Sequence, residues 1–211
     1  MKKGTIIGIA VAVVLLLLLG GGCSSYNGMV DAELAVQKQW AQVENQYQRR
    51  ADLIPNLVNT VKGYASHESS TLENVTNARA GVATAQQALE QAESDVNAIS
   101  STAASGNVAA YQQAQSALKG ALDVYVNAVH EAYPELKANE SFLNLQAQLE
   151  GTENRVSTER RAYNEAVEAY NKKVLRFPGR IFASIFGFES KDMFQADAEA
   201  QHAPTVDFGT N

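Results

Sequence analysis

The most unusual residue able to carry chemistry in this chain is an arginine on an apolar seam. Apolar side chains recur at heptad steps through Val36, Val43 and Leu57, and Arg50 holds the remaining position of that series. A guanidinium placed there either snorkels outward along its stem or meets a carboxylate inside the packing. A second seam runs through Phe142, Leu145, Leu149, Thr152, Val156, Tyr163, Ala166 and Tyr170, and it carries one acid, Glu159. If the two segments stand antiparallel, levelling Tyr64 with Phe142 and Glu33 with Phe177 sets Arg50 opposite residues 156–160. The expectation is an internal Arg50–Glu159 pair, with Asp52, Asn56, Glu153 and Arg160 as further members of a structural polar layer. Such a pair adds little net stability, because desolvation offsets attraction, but it penalises registers that leave one charge alone. Pro55 lies beside this layer and removes a backbone donor. A kink is expected there, with Asn56 able to bond a freed carbonyl; a complete helix break is the competing expectation.

The other candidates form no recognisable site. His67, His130 and His202 are far apart and none lies in a metal-ligand motif. A di-iron bundle needs Glu-x-x-His pairs on its helices, and none occurs. Cys23 has no histidine near it in sequence, which disfavours a thiol nucleophile. No phosphate-binding loop is present. Neither a catalytic residue nor a cofactor or metal site is therefore assigned, and the surface carboxylates read as solvated helix faces. A net charge of −6 without a basic stripe excludes a nucleic-acid partner on electrostatic grounds.

The elements that position these residues begin with "MKKGTIIGIAVAVVLLLLLGGGCSSYN". Two lysines precede an apolar run, Ile6–Leu19, and no further basic residue occurs before Lys38. The run fits a spanning helix or a signal-peptide core, and both place the rest of the chain outside the cytoplasmic membrane. Cys23 is the sole cysteine and follows three glycines. Its setting resembles a lipoprotein processing site, although Gly20 stands where an aliphatic residue is usual. Lipidation at Cys23 is one reading, and an uncleaved helix with an incidental thiol is the other. Residues 1–25 are taken as this anchor.

From about Asp31 to Tyr64, Ser70 to Ile99, Val108 to Ala132 and Phe142 to Tyr170, apolar residues recur at steps of three and four. Ser70 and Glu73 offer a capping box for the second segment. The four segments predict an all-α fold, an antiparallel up-down four-helix bundle over residues 26–178. Residues 179–211 comprise an apolar and basic segment followed by an acidic tail that packs on the bundle base. The stretch "NKKVLRFPGRIFASIFGF" sets Lys172, Lys173, Arg176 and Arg180 among Phe177, Phe182 and Phe186. That mixture suits a membrane interface with anionic headgroups. A plainer reading has the apolar groups cap the open end of the bundle.

"AQVENQYQRRADLIPNLVNTVKGYASHE", "LENVTNAR", "LQAQLEGTENRVSTERRAYNEAVEAYN" and "RFPGRIFASIFGF" together closely resemble the bacterial LemA family. The similarity covers essentially everything after the anchor, and "YNGMV" looks like the family's start. The "GGGC" junction departs from the family's uncleaved-helix pattern. The resemblance implies a membrane-anchored antiparallel helical protein and no established catalytic activity. The expected role is a non-catalytic scaffold or partner-binding module of the cell envelope, held at the cytoplasmic membrane and touching membrane lipid and an envelope protein. Two rival expectations are a lipid-anchored protein with a second membrane contact and an enzyme built on the polar layer. An open cavity at Arg50 would favour the enzyme, and a dry layer would favour structure.

Overall fold

Two apolar seams at helical spacing leave nothing for a strand to bury, and the computed structural model is all-α. It describes the backbone of residues 3–67, 75–103 and 107–195, with side chains for most of these from Gly20 onward. Helix α1 spans Lys3–His67, α2 Val75–Ala103, α3 Val108–Ala132, α4 Glu140–Leu175 and α5 Gly179–Phe186. A short 3-10 segment, Pro134–Ala138, links α3 to α4. Among the described residues there is no strand. The proposed Ser70–Glu73 capping box, the tail from residue 196 and His202 lie outside the described residues, as do the side chains of His67 and most of Ile6–Leu19.

Helix α1 passes through Gly20–Gly22 and through Pro55 without interruption. The competing expectation, a complete break at Pro55, does not occur. Asn56 bonds the carbonyl of Asp52 at 3.1 Å, next to the Ala51 carbonyl that the proline leaves without its usual donor. Polar side chains set the starts of α3 and α4. Asn107 caps α3 by accepting from the Ala110 amide, and Asn139 accepts from the Phe142 amide at the start of α4.

The chain forms two compact units. The first joins Met1–Asn45 to Val156–Lys191. Here α1 and α4 run antiparallel. Trp40 meets Tyr163 edge-to-face at 5.5 Å, and Lys173 Nζ donates to the Gly28 carbonyl at 2.8 Å. Val43, Val167, Met29 and Tyr170 are buried between them. After α5 the chain is strapped back: the Tyr170 hydroxyl donates to the Glu189 carbonyl, and the Asn171 amide bonds both backbone groups of Lys191. Lys191 also pairs with Glu33 at 2.8 Å. Burial, then the nearby Glu33 and Glu189 carboxylates, pushes the Tyr170 phenol up to about 12.

The second unit joins Gln46–Arg155 to Asp192–Asn211. The α1 segment runs parallel to α3, as Tyr47 against Tyr111 and Arg50 against Gln115 require. Helix α3 returns antiparallel to α4, with His130 against Phe142. Every residue of the α3 series Val108, Tyr111, Gln115, Leu118, Leu122, Tyr125 and Val129 is buried. From α2, Val82, Leu89 and Val96 complete the interior. Leu136 of the 3-10 segment closes one end, and Tyr64 lies against Tyr133.

The turn from α4 into α5 depends on a glycine. A Cβ on Gly179 would collide with the Lys173 backbone carbonyl and sit 3.3 Å from Met29 Cε. Backbone cannot yield as a flexible side chain can. Gly179→Ala should therefore destabilise the protein by about 1–3 kcal/mol, the cost of overpacking. Gly151, inside α4, has nothing within 4 Å of a Cβ, so Gly151→Ala should add up to about 1 kcal/mol through helix propensity. Denaturant midpoints of the two variants, moving in opposite directions, check both.

Candidate functional site

Arg50 lies on the buried face of α1 because its heptad neighbours do, and only 2% of it is exposed. It does not snorkel. A guanidinium so enclosed needs acceptors, since an unpaired buried charge costs far more than a polar contact returns. Helix α4 supplies Glu153, whose Oε1 accepts from Arg50 Nη1 at 2.6 Å. Helix α3 supplies Gln115 twice. Its carbonyl accepts from Nη2 at 3.1 Å, and its side-chain Oε1 accepts from the same nitrogen. The guanidinium carbon stands 5.1 Å from the Tyr47 ring centroid, a cation–π placement. Arg50 Nε has no hydrogen-bond partner among the described residues.

This arrangement corrects the expected partner. The carboxylate at Arg50 is Glu153; the Arg50–Glu159 pair is not formed, and Glu159 belongs to the other compact unit. The reason is register. Levelling Tyr64 with Phe142 assumed that α4 begins with its first apolar residue. Tyr64 instead meets Tyr133, and the 3-10 segment with the Asn139 cap lies between them and Phe142. Glu153 therefore takes the place expected of residues 156–160. Asp52 and Asn56 are also outside the buried layer. Both are exposed, and Asp52 accepts instead from Gln48 on its own helix at 2.8 Å. Arg160 is half-buried in the first unit.

The residue that sequence reasoning passed over is Gln115. It stood in the α3 seam as a lone amide among apolar residues, and that position was the available signal. Thr152, also on its seam and 1% exposed, bonds the Gln148 carbonyl within α4 and takes no part in the cluster.

Glu153 is 30% exposed and borders an open groove of about 720 Å³ between α3 and α4, lined also by Lys119, Asp123, Gln146, Glu150 and Asn154. The guanidinium itself is sealed behind Glu153 and Gln115. Among the described residues no cluster of His, Cys, Asp and Glu could hold a metal ion. His130, near the end of α3, packs edge-to-face on Phe142 with Gln146 3.4 Å from its Nε2. Burial, and then the charge of Lys137, lowers its pKa from the usual 6.5. The chemistry available at Arg50 is charge neutralisation and register selection.

Two expectations follow. Glu153→Leu should cost about 3 kcal/mol, the low end for a broken buried pair because the carboxylate is partly wet. The triple variant Arg50→Met, Gln115→Leu, Glu153→Leu should recover most of that loss, since an apolar replacement leaves no orphan. Urea unfolding of the single and triple variants tests this, and equal losses in both would contradict it. For His130, a lowered folded-state pKa means that protonation favours the unfolded chain. Its contribution is complete above about pH 6.5 and declines as pH falls toward the folded value. NMR titration should give a midpoint below 6.5, and His130→Gln should flatten this part of the stability–pH curve.

Comparison with known proteins gives this geometry a family. Two curated relatives, Magnetosome protein MamQ 1 and Magnetosome protein MamQ 2 of Paramagnetospirillum magneticum, are each 28% identical over 182 residues, covering 81% of this chain. The matched region spans 64% of the length of those relatives. The sequence pattern of the LemA family matches residues 39–208, which include Arg50, Gln115, Glu153 and all of α5. With most of its length so matched, this chain belongs to the LemA family.

Proposed function

We propose that the chain is a non-catalytic, membrane-tethered helical protein of the bacterial cell envelope that presents a helical bundle to a protein partner. The observation that carries this reading is the sealed guanidinium. Arg50 has its Nη groups held by Glu153 and Gln115 and is 2% exposed, so its guanidinium is closed to a substrate. Its physical effect is to select one alignment of α1, α3 and α4, as a scaffold requires. In this reading the helices of the second unit form an up-down-up-down bundle. The groove between α3 and α4, bordered by both signs of charge, is the surface offered to a partner.

The tether is the run Ile6–Leu19. Among the described residues no helix is long and apolar enough to cross a membrane, and most side chains of the run lie outside them. Support comes from the apolar sequence and from helical backbone that begins at Lys3 and continues unbroken to Arg50. Lys2 and Lys3 then remain in the cytoplasm, and the compact units face outward from the cytoplasmic membrane. Lipid attachment at Cys23 would require cleavage before it. That would remove Gly22, which is buried and whose Cβ position lies 3.3 Å from the Phe182 ring. The packing therefore favours the uncleaved chain.

Alkaline carbonate washing of native membranes should leave the protein in the pellet. Protease added to spheroplasts should degrade the bundle, and mass spectrometry should find residues 1–22 intact. Release by carbonate overturns the tether, and protection from external protease overturns the orientation. A photo-crosslinker at Asp123 or Asn154 should capture one defined envelope protein, whereas no specific adduct from either position would overturn the role of the groove.

A further inference from the structure

Helix α5 is held by one face and bare on another. Ala183 is 2% exposed, Phe182 approaches Gly22, and Phe186 packs edge-to-face on Tyr26 at 5.1 Å. These contacts fix α5 beside the segment of α1 that follows the apolar run. Ile181 and Ile185 lie one turn apart on one face of α5, and Phe177, in the turn before the helix, lines the same concavity. Phe177, Ile181 and Ile185 are 84%, 52% and 67% exposed, with Leu175 adjacent at 56%. The concavity measures about 570 Å³ and is bordered also by Arg180 and Ser184. Exposed apolar side chains gathered in this way mark a contact site.

Charge and position identify the occupant. From Lys172 through Phe188 there are four basic residues and no acid. Lys172 pairs with Glu168 and Lys173 bonds the Gly28 carbonyl. Arg176 and Arg180 are exposed; the carboxylate near Arg176, Glu168, is bonded to Lys172 and feels Arg176 only as a weaker, more distant charge. Cations ringing an apolar stripe complement a bilayer surface, where anionic headgroups lie above acyl chains. The depth agrees as well. Gly22, which α5 touches, lies three residues beyond Leu19, about 5 Å along the axis at roughly 1.5 Å per residue. Interfacial helices bury their apolar face to a depth of about 5–10 Å.

We propose that α5 and the turn before it are a second membrane contact: Phe177, Ile181 and Ile185 enter the interface while Arg176 and Arg180 bind anionic lipid headgroups. This rests on the tether described above. With the run Ile6–Leu19 in the bilayer, α5 is delivered to the headgroup layer and seats there by geometry.

The test uses the full-length chain with Cys23→Ser, reconstituted at low protein-to-lipid ratio in vesicles of mixed phosphatidylglycerol and phosphatidylcholine. Single nitroxide labels are placed at Val13→Cys, Ile185→Cys and Val124→Cys. A water-soluble nickel chelate should broaden the label at 124, an exposed site on α3, severalfold more than those at 13 and 185. Neutralising Arg176 and Arg180 to Gln should weaken the seat about 30-fold, at roughly 1 kcal/mol per charge near an anionic surface. The label at 185 should then return to water while that at 13 stays shielded. A wild-type label at 185 as open to the chelate as 124, with 13 shielded, overturns the lipid seat and leaves the tether standing. Labels at both 13 and 185 open to water overturn the tether and the seat with it. Shielding at 185 accompanied by dipolar broadening between copies assigns the stripe to a second copy, and shielding unchanged in pure phosphatidylcholine vesicles removes the anionic headgroups from the seat; either result overturns the proposal.

Discussion

A guanidinium with 2% of its surface exposed constrains everything packed around it. Arg50 cannot be retracted into water, so α3 and α4 must bring acceptors to it, and each helix can do so only in one alignment. Moving α4 along its axis by a turn would remove Glu153 from Nη1; moving α3 would withdraw both oxygens of Gln115 from Nη2. The apolar residues nearby impose no comparable choice, because a heptad slip exchanges one aliphatic side chain for another at modest cost. The hydrophobic effect assembles the helices. The arginine decides how they line up.

Helix identity was legible because period and burial express the same geometry. The α3 seam is buried along its length, and Gln115 is buried with it. Register was less legible, because it depends on where helices end. At the start of α4 a single polar side chain, Asn139, sets that end, and a 3-10 segment precedes it. A displacement of one to two helical turns exchanged Glu153 for Glu159. Asp52 and Asn56 were placed in the layer because they neighbour Arg50 in sequence, yet adjacent helical positions point in different directions. Local i, i+4 bonds on the exposed side satisfy them instead.

The corner between α4 and α5 was visible only in part. "RFPG" announced a stop, and Pro178 and Gly179 do terminate one helix. The same residues begin the next. Pro178 serves as the N-cap, and Gly179 allows the backbone to pass against the Lys173 carbonyl. Gly187, at φ +78°, then closes α5 with Phe188 bonding back to the Ala183 carbonyl. With only eight residues, α5 has little intrinsic helical stability. Its persistence depends on Ala183, Phe182 and Phe186 being packed, contacts to residues distant in sequence that no local pattern reveals.

Arginine therefore appears in this chain under two opposite conditions. At Arg50 the surroundings are apolar and closed, so the charge must be met from within: Glu153 neutralises it and Gln115 accepts its remaining Nη hydrogen bonds. At Arg176 and Arg180 the charges are in water and the neighbouring apolar groups are the ones left uncovered. Hydrated arginines need no protein carboxylate, but Phe177, Ile181 and Ile185 still lose free energy wherever they meet water. A surface that covers the aromatic and aliphatic groups must also leave the guanidinium groups hydrated or paired. An apolar protein groove would satisfy the first requirement and, by enclosing the charges, violate the second. The lipid contact proposed for α5 and the turn before it would meet both at once, because a bilayer surface sets an anionic layer above an apolar one.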